Sequence, residues 1–187
     1  MKISMQEVMN RAAAIRLAIF DVDGVLTDGG LIFDEAGREN KVFHSRDGHG
    51  LKMLQASGVE LAVISGRRTE AVTHRMAGLG ISHVYQGQQD KLPAFYELLD
   101  KLQVTPEQTA YVGDDVVDLP IMLQAGLAVA VRDAHPLVHR YAHWQTSSPG
   151  GRGAVREVCE LLLEAQGKLD GMLQAYLGME TSHPRAE

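Results

Sequence analysis

"AIFDVDGVLTDGG", Ala18–Gly30, is an apolar run that stops on two aspartates, Asp21 and Asp23, and passes into glycines. Aspartate is a poor strand former and costly to bury, so a pair of them ending an apolar burst needs a compensating partner. The burst is one of a series. "VELAVISG" (59–66), "ISHVYQG" (81–87), "TAYVGDD" (109–115) and "LAVAV" (127–131) each end in Gly, Asp or Arg, and stretches with helical periodicity separate them.

Short all-apolar runs alternating with amphipathic helices are the pattern of strands buried on both faces. The spacing predicts an α/β chain with a Rossmann-like, doubly wound parallel sheet flanked by helices. Residues 3–15 read as an amphipathic helix. Asp47 is placed to cap "GHGLKMLQASG"; "RTEAVTHRMAGLG" stops at Gly78 or Gly80; "DKLPAFYELLDKL" carries Pro93 in its first turn. "DLPIMLQAG" and "GAVREVCELLLEAQ" complete the helices. One segment breaks the rhythm. Residues 29–45, "GGLIFDEAGRENKVFHS", read as an inserted β-hairpin with strand-like runs at Leu31–Phe33 and Lys41–Phe43. Residues 1–178 are expected to form a single domain, with 179–187 as a frayed tail.

The totals narrow the function. A chain of 187 residues with a formal net charge of -6 lacks the positive field that nucleic acid or an anionic membrane surface requires, so a small molecule is the expected partner. The single cysteine, Cys159, excludes an internal disulfide, and no apolar run approaches the ~20 residues of a membrane span. With a polar N-terminus, a cytoplasmic location is expected.

In an open parallel sheet, ligands bind outside the carboxyl ends of the strands. Those ends carry Asp21 and Asp23; Ser65 with Arg67 and Arg68; and Asp114, Asp115 and Asp118, while Lys91 opens the helix after "HVYQG". Carboxylates converging on one rim are tolerable when a cation joins them, and an all-oxygen set suits Mg²⁺. A cation among acids, beside a lysine, is a place to hold a phosphoryl group. Extended residues two apart face the same side, so Asp21 and Asp23 can both look into the cleft, one as nucleophile and the other as proton donor and acceptor.

At this point the chain resembles a family. "DVDGVLTDG", "ISGR", the isolated Lys91 and "VGDDVVD" are similar to the four successive motifs of the haloacid dehalogenase superfamily of phosphatases, in order and at strand ends throughout. "GGLIFDEAGRENKVFHSRDG", "YQGQQDK" and "GGRGAVREVCELLL" carry a closer likeness to its small capless sugar-acid phosphatases. The resemblance implies that Asp21 forms an aspartyl-phosphate and Asp23 is the acid/base. It implies Mg²⁺ on the Asp21 carboxylate, the Asp23 carbonyl and Asp114, with Ser65 and Lys91 holding phosphoryl oxygens and Asp115 and Asp118 around metal and lysine. The implied substrate is 3-deoxy-D-manno-octulosonate 8-phosphate, on the route to a lipopolysaccharide inner-core sugar. A nine-carbon 3-deoxy-2-keto acid 9-phosphate is the nearest competitor.

A signalling receiver also combines acids, a hydroxyl and a lysine on a parallel sheet. Here, however, the acidic pair comes last, and Asp23 stands where it would speed loss of the phosphoryl group. Arg46, Arg67, Arg68 and Arg152 are candidates for the substrate carboxylate, and the sequence does not choose among them. His135, His139 and His143 recur every four residues, yet Pro136, Tyr141 and Trp144 favour a short exposed helix and an edge strand over a zinc site. Cys159 shares an apolar stripe with Val155, Val158, Leu162 and Leu163 and reads as core.

No inserted cap fits, because only 22 residues separate Lys91 from Asp114 and the earlier gap holds one hairpin, one helix and one strand. A two-stranded unit bearing Leu31, Ile32, Phe33, Val42 and Phe43 is expected to pack against copies from neighbouring chains. The resemblance points to a homotetramer whose glycine-rich segment "SPGGRGAVRE" approaches an active site.

Overall fold

In the computed structural model, which describes residues 3–177, the first burst becomes β1, Leu17–Phe20, buried on every residue. Strands β2 (Ile32–Phe33) and β3 (Glu39–Asn40) form a separate antiparallel hairpin. The remaining strands are β4 (Glu60–Ser65), β5 (His83–Gln86), β6 (Thr109–Gly113), β7 (Leu127–Ala130) and β8 (Trp144–Gln145). They join β1 in one parallel sheet of order β5-β4-β1-β6-β7-β8. Successive strands are added outward on one side of β1 and then on the other, which is the doubly wound arrangement. Phe20 pairs with Val63 on one side and Val112 on the other, so the ends of β1, β4 and β6 lie level.

Helices α1 (Met5–Ala13), α2 (Ser45–Ala56), α3 (Glu70–Leu79), α4 (Leu92–Leu102), α5 (Leu119–Met122), α6 (Pro136–Tyr141), α7 (Ala154–Ala165) and α8 (Leu169–Tyr176) cover the sheet. Ser4 caps α1 by accepting the Glu7 N–H, and Thr69 caps α3 through Val72. The end of α3 falls at Gly80, whose φ of 78° suits glycine. Helix α8 has no counterpart in the sequence reading, and the tail expected at 179–187 lies outside the described residues. Among the described residues, no helix is long and apolar enough to cross a membrane.

Two boundaries differ from expectation for a physical reason. Helix α2 starts at Ser45, so Asp47 is not its cap. Asp47 is buried within the first turn and accepts the backbone N–H groups of Gly153 (3.2 Å) and Arg156 (2.9 Å), capping α7 instead. In the hairpin, the second strand sits at Glu39–Asn40 rather than Lys41–Phe43. The Asp34 side chain ties the turn by accepting from Ala36 and Arg38, while Lys41 turns inward and Phe43 packs on the core under the Arg75 guanidinium.

Candidate active site

The level strand ends create a small acidic chamber. Asp21 follows β1 directly, and the chain then turns through Gly24, whose φ of 87° excludes most side chains. Thr27 closes the turn: its N–H and hydroxyl both donate to the Val22 carbonyl, at 3.0 and 3.3 Å. Asp114 follows β6, and a Cβ on Gly24 would lie 2.1 Å from its Oδ2. From behind, Gly150 and Gly151 press on the same turn. The Gly151 N–H donates to the Val25 carbonyl at 2.8 Å, and a Cβ on Gly150 would collide with the Gly24 carbonyl.

Lys91, just before α4, reaches the chamber floor almost fully buried. Its Nζ stands 2.7 Å from Asp118 Oδ1 and 2.9 Å from Asp21 Oδ1. Burial works to lower the Lys91 pKa, but Asp21 and Asp118 together raise it, so the lysine is a cation. Asp118 is saturated. Its Oδ1 accepts from Lys91 and from the Tyr111 hydroxyl (2.7 Å), and its Oδ2 from the N–H groups of Asp114 (3.0 Å) and Asp115 (3.2 Å).

Asp21 and Asp114 are the opposite case. Asp21 Oδ1 has Lys91 as an ionic neighbour but no hydrogen-bond donor in line with it. Burial first, then the Asp118 charge, pushes Asp21 up to about 7 against the pull of Lys91. Burial and the charges of Asp118, Asp21 and Asp115 push Asp114 up to about 8. Oxygens of Asp21, Asp114 and Asp118 lie within 4.8 Å of one another. Since Asp118 has spent its lone pairs, Asp21 and Asp114 are the carboxylates left to hold a hard divalent cation, and the residues fit one.

The other candidates divide. Ser65 ends β4, buried, with its Oγ accepting the Arg67 N–H at 3.4 Å. Asp115 is exposed and caps the turn after β6 through the Val116 N–H at 2.7 Å. Arg67 lies at the rim in an ion pair with Glu39 at 2.9 Å, close enough to Asp23 for the two charges to interact. Arg152 pairs with Asp28 at 2.9 Å on the glycine-rich loop. Arg68 is exposed over Gly87, and Arg46 is exposed in the first turn of α2 beside Asp47. The last two are not drawn into the chamber.

Three residues escaped the sequence reading. Lys41 is buried in an ion pair with both Asp23 and Glu39, Glu39 bridges Lys41 and Arg67, and Tyr111 is buried with its hydroxyl on Asp118. The signal available was a lone lysine between hairpin hydrophobics and a tyrosine in an otherwise aliphatic strand. His135 and His143 each accept a backbone N–H at Nδ1, from Leu137 and Ala128 respectively. Cys159 lies in the core, where burial raises its thiol pKa far out of the reactive range.

Residues 78–157 match the haloacid dehalogenase-like hydrolase family. The chain is 54% identical over 165 residues to the 3-deoxy-D-manno-octulosonate 8-phosphate phosphatase KdsC of Yersinia pestis, covering 88% of each protein. The crystal structure of the Y. pestis phosphatase superposes with a TM-score of 0.87 at 55% identity, over 88% of this chain and 89% of that one. The phosphatase from Moraxella catarrhalis, crystallised with a magnesium ion, a phosphate ion and a KDO molecule, superposes with a TM-score of 0.91 at 42% identity, over 92% and 99% of the two chains. The chain therefore belongs to the 3-deoxy-D-manno-octulosonate 8-phosphate phosphatases of the haloacid dehalogenase superfamily.

Proposed function

We propose that this protein is a Mg²⁺-dependent phosphomonoester hydrolase that releases 3-deoxy-D-manno-octulosonate and phosphate from the 8-phosphate. The observation that carries the reading is the chamber itself: a buried Asp21 oxygen without a hydrogen bond, Asp114 beside it, Asp118 saturated, and Lys91 buried between Asp21 and Asp118. Relatives over 88% of the chain bear this activity in their names.

In this mechanism an Asp21 carboxylate oxygen attacks phosphorus in line with the leaving sugar oxygen, forming an aspartyl-phosphate. Asp23 gives its proton to that oxygen as the P–O bond breaks. It then takes a proton from the water that attacks the aspartyl-phosphate, which frees phosphate and restores Asp21. Ser65 and Lys91 hold the phosphoryl oxygens. Asp21, Asp114 and the Asp23 carbonyl would hold Mg²⁺, which when bound supplies positive charge to offset the carboxylates and the phosphoryl group. Asp118 fixes Lys91 and the β6 turn, and Asp115 shapes that turn from outside. For the sugar-acid carboxylate, Arg67 is the arginine whose charge interacts with Asp23.

Among the described residues no inserted cap domain stands over the chamber, and a neighbouring subunit is the lid in this reading. Leu31, Ile32, Phe33 and Val42 are each about half exposed on the hairpin, an apolar face that suits a homotetramer contact. A panel of phosphorylated sugar acids compared by kcat/KM tests the substrate. The eight-carbon 8-phosphate is expected to lead, and preference for a nine-carbon 9-phosphate would replace it. An active monomer in sedimentation would remove the tetramer.

A further inference from the structure

We propose that Lys41, in the inserted hairpin, is a positioning residue for Asp23, holding its carboxylate by one oxygen so that the other is free to exchange a proton with the substrate. The Lys41 side chain is 1% exposed. Its ammonium joins Asp23 Oδ1 and Glu39 Oε1, and Glu39 Oε2 accepts both Nε and Nη2 of Arg67. Among the described residues nothing else bonds the Asp23 carboxylate, and Oδ2 is unclaimed. Two carboxylates on a single buried ammonium fix its direction more firmly than an exposed pair would. The chain Arg67–Glu39–Lys41–Asp23 thus ties the acid/base to the hairpin and to the loop after β4.

This rests on the phosphatase reading above, in which Asp23 protonates the leaving oxygen. Departure of an alkoxide needs that proton; departure of p-nitrophenolate or acetate does not. Misplacing Asp23 therefore slows alkyl phosphate esters selectively. The test is kcat/KM for an alkyl sugar-acid phosphate and for p-nitrophenyl phosphate or acetyl phosphate, on wild type, Lys41→Met and Lys41→Arg. The ratio of alkyl to activated substrate is expected to fall at least about tenfold in Lys41→Met and to recover partly in Lys41→Arg, a fraction of the 10²–10⁴ that a placed acid supplies. The rise in Tm on adding Mg²⁺ is expected to match wild type in both variants.

An unchanged ratio, whether both rates fall together or neither does, overturns the proposal, as does loss of the Mg²⁺ effect. Should Lys41→Met fail to fold, Glu39→Gln, which keeps the lysine but frees it, reads the same ratio. Wild-type protein that hydrolyses neither ester with Mg²⁺ would instead remove the phosphatase reading.

Discussion

Gly24 and Asp114, ninety positions apart in sequence, stand so close that a Cβ on the glycine would come within 2.1 Å of the aspartate Oδ2. The backbone of one motif is the wall against which the carboxylate of another rests. Gly24→Ala adds a φ of 87° that alanine resists to this collision. We expect a loss of about 1–3 kcal/mol in stability and a larger loss of Mg²⁺ affinity, read by thermal unfolding with and without the ion.

The metal-free chamber is a proton store. Asp21 at about 7 and Asp114 at about 8 hold protons that the unfolded chain, with carboxylates near 3.8, has released. Folded pKa values above unfolded ones mean that this stabilisation is complete below about pH 4 and is lost as pH rises through 7 and 8. Mg²⁺ must displace those protons. The rise in Tm it produces is expected to be small at pH 5 and several degrees at pH 8, with proton release visible by calorimetry in buffers of different ionisation heat. An effect independent of pH would contradict this.

Asp21→Asn should abolish turnover while raising metal-free stability at pH 8. The amide removes one buried negative charge facing Asp118 and Asp114, and Lys91 keeps Asp118 as partner. The expected gain is about 1–4 kcal/mol, measured by denaturant unfolding in EDTA.

Asp47→Ala leaves the N–H groups of Gly153 and Arg156 without acceptors at the start of α7. A lost helix cap costs about 0.5–2 kcal/mol. Because Gly150 and Gly151 lead into that helix and brace the Gly24 turn, the variant is also expected to lose kcat. Stability loss with kcat untouched would show that the loop holds without its cap.

Much of the fold and the placement of the acids were legible because they are local. Strands β1, β4, β6 and β7 are largely apolar runs, and Asp21, Ser65 and Asp114 stand where three of them end, so the parallel sheet alone delivers these to one rim. What was illegible depends on distant partners. Asp47 stands at the start of a helix in sequence, but its acceptors serve a helix more than a hundred residues later. Lys41 looks like a strand residue until the hairpin folds back on Asp23. Tyr111 sits in a run read for its hydrophobicity, which is blind to the hydroxyl that meets Asp118. Exposed arginines carry no periodic signal at all.

The Gly151 N–H that reaches back to the Val25 carbonyl has a meaning for biosynthesis. A chain emerging from the ribosome displays its leading aspartates early, yet the prop beneath them is translated only when most of the polypeptide is already outside. Until then the nascent protein carries the reactive group without the framework that aims it, and hydrolysis waits on the last major helix.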